Sequence, residues 1–117
     1  MKSKNGIPYD YILRLFEAGE NVDETTFYFA WEVRDGEDHY LGYLPNGPIP
    51  STPYWAGYCD VEGGFSCSTA QELFEAPIYS GKSLKDQWNE VIICEIGGIP
   101  APDFIEIYAK EYPMDCE

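Results

Sequence analysis

The chain has 117 residues, 44% hydrophobic and 16% aromatic, with 21 acids against 7 bases and a formal net charge of −14. The length suits one domain spanning residues 1–117, and the aromatic content excludes a disordered acidic tail. Scattered bases cannot build the cationic track that nucleic acid or an anionic membrane surface requires, so direct binding to either is not expected.

The N-terminal stretch Met1–Gly6 leads into Ile7-Pro8-Tyr9-Asp10 and offers no apolar signal core, so a cytoplasmic location is expected. The first element is a helix. Tyr9, Ile12, Leu13 and Phe16 recur at helical spacing, Pro8 suits the first turn and Gly19 the stop. Thr25 to Arg34 alternates as a strand, with Phe27, Phe29, Trp31 and Val33 on one face. Asp35-Gly36-Glu37-Asp38 is turn chemistry, and His39 to Leu44 returns as the second arm of a hairpin.

Four prolines between Pro45 and Pro53 then impose a semi-rigid loop and break the longest uncharged stretch, so no membrane span is expected. Tyr54–Val61 and Phe65–Ser68 read as a second hairpin around Gly63-Gly64. Thr69 with Glu72 forms a capping box for a short helix over Ala70–Glu75, ended by Pro77. Ser83 caps another over Leu84–Asn89, burying Leu84 and Trp88. Val91–Ile96 is a β-branched run suited to a central strand, and Gly97-Gly98 breaks it. Asp103–Tyr112 carries both periods and is assigned as helix because Pro102-Asp103 resembles a helix start. The sum is an α+β fold: a mainly antiparallel sheet of about five hairpin-built strands, an N-terminal helix and two or three short helices.

Cys59, Cys67, Cys94 and Cys116 lack close metal or redox spacing and read as free thiols. A three-residue turn at Glu62-Gly63-Gly64 would nonetheless set Cys59 opposite Cys67, near enough to oxidise. Ala76 to Ser83 loosely matches a phosphate-binding loop, but a helix precedes it where a buried strand should, and Pro77 removes an amide donor. His39, the sole histidine, lacks a protease-like setting around any cysteine; the acidic turn beside it makes it a candidate pH-sensitive position. Asp35–Asp38 lacks the ligand spacing of a calcium loop, and neither metal nor cofactor is expected. Glu32, Asp60 and Glu95 lie in strand-like runs where two carboxylates could meet across a sheet, the minimum for glycoside chemistry.

Two features point to binding. Tyr40, Tyr43, Tyr54, Trp55 and Tyr58 bracket the proline loop, and Tyr and Trp are favoured anchors at interfaces. The segment from Glu17 to Asp38 holds eight acids, among them Glu17, Glu20, Asp23, Glu24, Asp35, Glu37 and Asp38, with Arg34 as its one base. Such a surface attracts cationic company. The sequence therefore suggests a small acidic, non-enzymatic interaction module, inhibitor- or immunity-like, that binds a basic protein. The alternative is a small-molecule or carbohydrate binder using the aromatic loop.

Overall fold

The computed structural model describes residues 1–19, 21–32 and 37–114. In chain order it contains α1 (Tyr9–Ala18), β1 (Thr25–Phe29), β2 (His39–Tyr43), β3 (Tyr54–Gly57), β4 (Phe65–Cys67), α2 (Ala70–Glu75), a 3-10 turn (Trp88–Glu90), β5 (Val91–Ile96), β6 (Ile99–Pro100) and α3 (Ala101–Ile107). The strands form one six-stranded sheet in the order β4-β3-β2-β1-β5-β6, with every pairing antiparallel. The fold is α+β, as the sequence indicates.

Strand alternation sorts the side chains. Thr25, Phe27 and Phe29 of β1 share the inner face with Leu41 and His39 of β2, Ala56 and Tyr54 of β3, and Val91 and Ile93 of β5. Buried residues of all three helices join that face in one core cluster, including Ile12, Leu15 and Phe16 of α1, Leu73 and Phe74 of α2, and Phe104 of α3. The opposite face carries Tyr28, Tyr40, Trp55, Ile92 and Glu95, all half-buried. The N-terminal segment covers the free edge of β5: Lys4 N–H donates to the Val91 carbonyl at 2.7 Å, and Asn5 exchanges hydrogen bonds with Ile93.

α1 ends where expected, because Gly19 adopts the left-handed conformation (φ 71°) and its N–H caps the Leu15 carbonyl. Its apolar face is wider than the sequence stripe: Tyr11 and Leu15 are also buried, and Leu13 is only partly so. α2 has the expected cap, with Thr69 Oγ1 accepting from Glu72 N–H at 3.1 Å.

Several expected boundaries move. The strand projected over 25–34 stops at Phe29, because the chain turns back there: Glu32 N–H donates to the Phe29 carbonyl and the Glu32 carboxylate accepts from Phe29 N–H. Trp31 consequently leaves the core face and is 48% exposed, while Val33 and Arg34 lie outside the described residues. The strand over 54–61 stops at Gly57, because Tyr58 is left-handed (φ 59°). The helix over 84–89 is reduced to turns and the 3-10 segment, although Leu84 and Trp88 are buried as expected. β6, two residues long, has too little sequence to show a period. α3 starts two residues before Asp103 and stops at Ile107; Ala101 and Phe104 are buried at helical spacing while Ile107 is exposed.

Candidate functional site

The five aromatic residues flanking the proline loop do not form one site. Tyr43 and Tyr54 face the core side, with ring centroids 4.6 Å apart. Tyr54 is buried, and its hydroxyl donates to the Phe16 carbonyl at 2.7 Å, anchoring the sheet to the end of α1. Burial raises its phenol pKa first, with Tyr43 and Glu17 adding to the effect. Tyr40 and Trp55 lie on the opposite face. Tyr58 lies beyond β3, at the end of the β2–β3 hairpin remote from the loop.

Trp55 is held firmly. Its indole Nε1 donates to Asp23 Oδ1 at 2.8 Å, and it crosses Gly42, where any Cβ would fall 2.2 Å from that nitrogen. It also lines an apolar groove of about 220 Å³ against Leu44, Gly47, Pro48, Ile49, Thr52, Pro53 and Ser66. This is the concavity the alternative reading requires, but only one of the five aromatics enters it.

The acidic set is also divided. Glu17, Asp23 and Glu24 lie near the start of β1, with Asp23 committed to Trp55. Glu37 and Asp38 precede β2, toward the other end of β1. Glu20 and Asp35 lie outside the described residues.

A second cleft, of about 260 Å³, opens beside the end of β1 and the start of β2. Phe29, Trp31, Glu32, His39, Tyr58, Cys59, Asp60, Tyr79 and Ser80 line it. His39 is part of its floor. The imidazole stacks on Phe27 (centroids 5.1 Å apart, 25° between planes) and meets Phe29, Tyr58 and Tyr79 edge-on. Its Nε2 lies 2.9 and 3.0 Å from the two Glu32 carboxylate oxygens, and its Nδ1 is bonded to the Tyr58 carbonyl. Both ring nitrogens are therefore engaged by oxygen atoms. The histidine is paired with Glu32.

Two of the three carboxylates singled out in the sequence, Glu32 and Asp60, meet in this cleft; Glu95 is on the far face of the sheet. Asp60 Oδ2 accepts from Gly81 N–H at 3.2 Å. Tyr79 is 2% exposed, and its hydroxyl is buried without a hydrogen-bond partner. Burial raises its phenol pKa steeply, with Cys59 and Asp60 adding to the shift. The sequence singles out His39, Glu32, Asp60 and Tyr58 separately, and only the fold brings them to one cleft. Trp31 and Tyr58 reach it through turns that alternation does not reveal, and Tyr79 arrives from a distant segment.

The remaining motifs resolve locally. Residues 79–82 form a tight turn: Tyr79 and Lys82 exchange backbone hydrogen bonds, and Ser80 and Gly81 are both left-handed (φ 56° and 77°). Ser83 Oγ then accepts from Asp86 N–H. No strand leads into this segment, as a phosphate loop requires. Cys67 pairs with Tyr54 across the ladder, so Cys59 and Cys67 are not opposed. Burial pushes the Cys67 thiol pKa up to about 11, with Glu72 adding to the shift. Among the described residues no three His, Cys, Asp or Glu side chains are grouped to hold a metal ion, and no helix is long and apolar enough to cross a membrane. Comparison with protein-family models, curated proteins and solved structures finds no match to this chain.

Proposed function

We propose that this domain is a non-enzymatic, inhibitor- or immunity-type module that binds a basic protein. The observation that carries the reading is the His39 cleft, which combines exposed aromatic faces with carboxylates and has no Lys or Arg among its described lining residues. Both nitrogens of His39 are engaged, Nε2 by the Glu32 carboxylate and Nδ1 by the Tyr58 carbonyl. The net charge of −14 adds long-range steering toward a cationic partner and repulsion of polyanions.

Affinity capture from lysate of the source cells, at low and at high salt, tests this. Recovered partners are expected to be basic and to be released by salt. Capture of only neutral or acidic proteins, insensitive to salt, would rule the reading out. A second reading, a carbohydrate or small-molecule binder, is favoured by the Trp55 groove alone. It predicts a saturable change in Trp55 fluorescence with oligosaccharides, and an unchanged signal across a panel removes it.

A further inference from the structure

We propose that the cleft between Trp31 and Tyr58 receives one arginine side chain of a partner protein, its guanidinium stacked on aromatic faces and paired with Asp60. This rests on the reading of the domain as a binder of basic proteins and supplies its contact chemistry. The cleft, at about 260 Å³, falls below the roughly 300–1,000 Å³ of small-molecule sites, so it suits a single side chain.

The rims are exposed yet fixed in place. Trp31 and Tyr58 are 48% and 56% exposed. Trp31 stacks parallel to Phe29 (5.2 Å, 12°) and donates Nε1 to Gln87 at 3.2 Å. Tyr58 has a left-handed backbone, its carbonyl is bonded to His39 Nδ1, and its ring meets the imidazole edge-on. Little side-chain freedom remains to be lost on binding.

Charge and hydrogen bonding agree on the occupant. Glu32 is committed to His39 and to Phe29 N–H, so its oxygens are already engaged. Asp60 remains, with Oδ2 on Gly81 N–H and Oδ1 open. The Tyr79 ring, 2% exposed, packs edge-on against the imidazole in the same wall. A guanidinium brings one positive charge and five N–H donors in a plane, which suits pairing with the Asp60 carboxylate. Its flat face stacks on aromatic rings, which a compact, strongly hydrated ammonium does less well.

The test is a titration of the full chain, 15N-labelled, at low salt with L-argininamide, L-lysinamide and L-citrullinamide. Citrullinamide shares the α-ammonium and shape of argininamide but lacks the guanidinium charge. The Trp31 indole N–H signal, assigned with Trp31→Phe, is expected to shift saturably with argininamide, several-fold more weakly with lysinamide and not with citrullinamide. Asp60→Asn and Tyr58→Asn should each weaken argininamide by roughly tenfold, the scale of one charge or cation–aromatic contact. Asn tolerates the left-handed backbone at position 58, and an unchanged signal from the buried Trp88 indole reports that each variant is folded.

Equal response to citrullinamide, no response at Trp31, or diffuse unsaturable shifts would overturn the assignment. Salt-sensitive capture of basic proteins that survives both substitutions would also overturn it, while leaving the broader reading in place. A saturable Trp31 response without any basic protein captured would do the reverse.

Discussion

A methyl group at position 42 would land between two side chains that hold each other. A Cβ on Gly42 falls 2.2 Å from Asp23 Oδ1 and 2.2 Å from Trp55 Nε1, and those two atoms are hydrogen bonded at 2.8 Å. Gly42→Ala therefore has to push apart a donor and a charged acceptor. Losing such a bond costs roughly 1.5–3 kcal/mol. Asp23 and Trp55 are only half-buried, so water recovers part of this and the lower end applies. Replacing Gly by Ala returns roughly 0.4–1 kcal/mol through the unfolded chain. The net expectation is about 1 kcal/mol of destabilisation, or roughly 4 °C in Tm for a domain of this length. Urea and thermal unfolding of Gly42→Ala, Trp55→Phe and the double variant would measure it. Trp55→Phe removes the indole nitrogen and opens the space, so the added methyl should then be neutral or stabilising, a coupling of about 1 kcal/mol. The same cost in both backgrounds, or a more stable Gly42→Ala, would refute the argument that this glycine makes room for the indole.

Other perturbations follow from buried polar groups and caps. Tyr9→Phe removes a buried hydroxyl that has no partner. It should hold or raise stability, by up to about 1 kcal/mol in urea unfolding; a loss would mean the hydroxyl is satisfied. The Tyr9 phenol pKa is pushed up to about 12, by burial first and then by Glu75, Asp10 and Glu17. Its folded pKa exceeds the unfolded value of about 10, so the native state holds the proton longer and its contribution to stability is lost as pH rises from about 10 to 12. Tyr9→Phe should flatten that alkaline decline. The Cys67 thiol, buried and raised to about 11, should resist alkylation near neutral pH until the domain unfolds; peptide mapping of native and urea-treated protein checks this. Thr69→Ala removes the cap on Glu72 N–H and should cost about 1 kcal/mol. Hydrogen bonds from Ser68 and then Thr69 hold the Glu72 pKa below its ordinary value, so that support is present above the unfolded carboxylate range and fades as pH falls through the folded pKa. Thr69→Ala should therefore weaken the acid dependence of unfolding, and an unchanged acid profile would count against the capping box.

Interactions within a few residues were legible in the sequence. The α1 stop at Gly19, the Thr69–Glu72 box, the β2 and β5 strands and the burial of Leu84 and Trp88 all follow from local conformational preference and period. The same local signals pointed to Tyr40, Tyr43, Tyr54, Trp55 and Tyr58 as a group, because they are neighbours along the chain. Only the fold shows that strand alternation sends them to different faces and ends of the sheet. The His39 cleft lies at the other extreme. Glu32 reaches it because the chain folds back after Phe29, Tyr58 because its backbone turns left-handed, and Tyr79 because a segment some forty residues beyond His39 packs beneath the imidazole. Periodicity records which side of its own element a residue occupies. Which elements then meet is decided by long-range packing against a shared core, and the cleft exists only at that level.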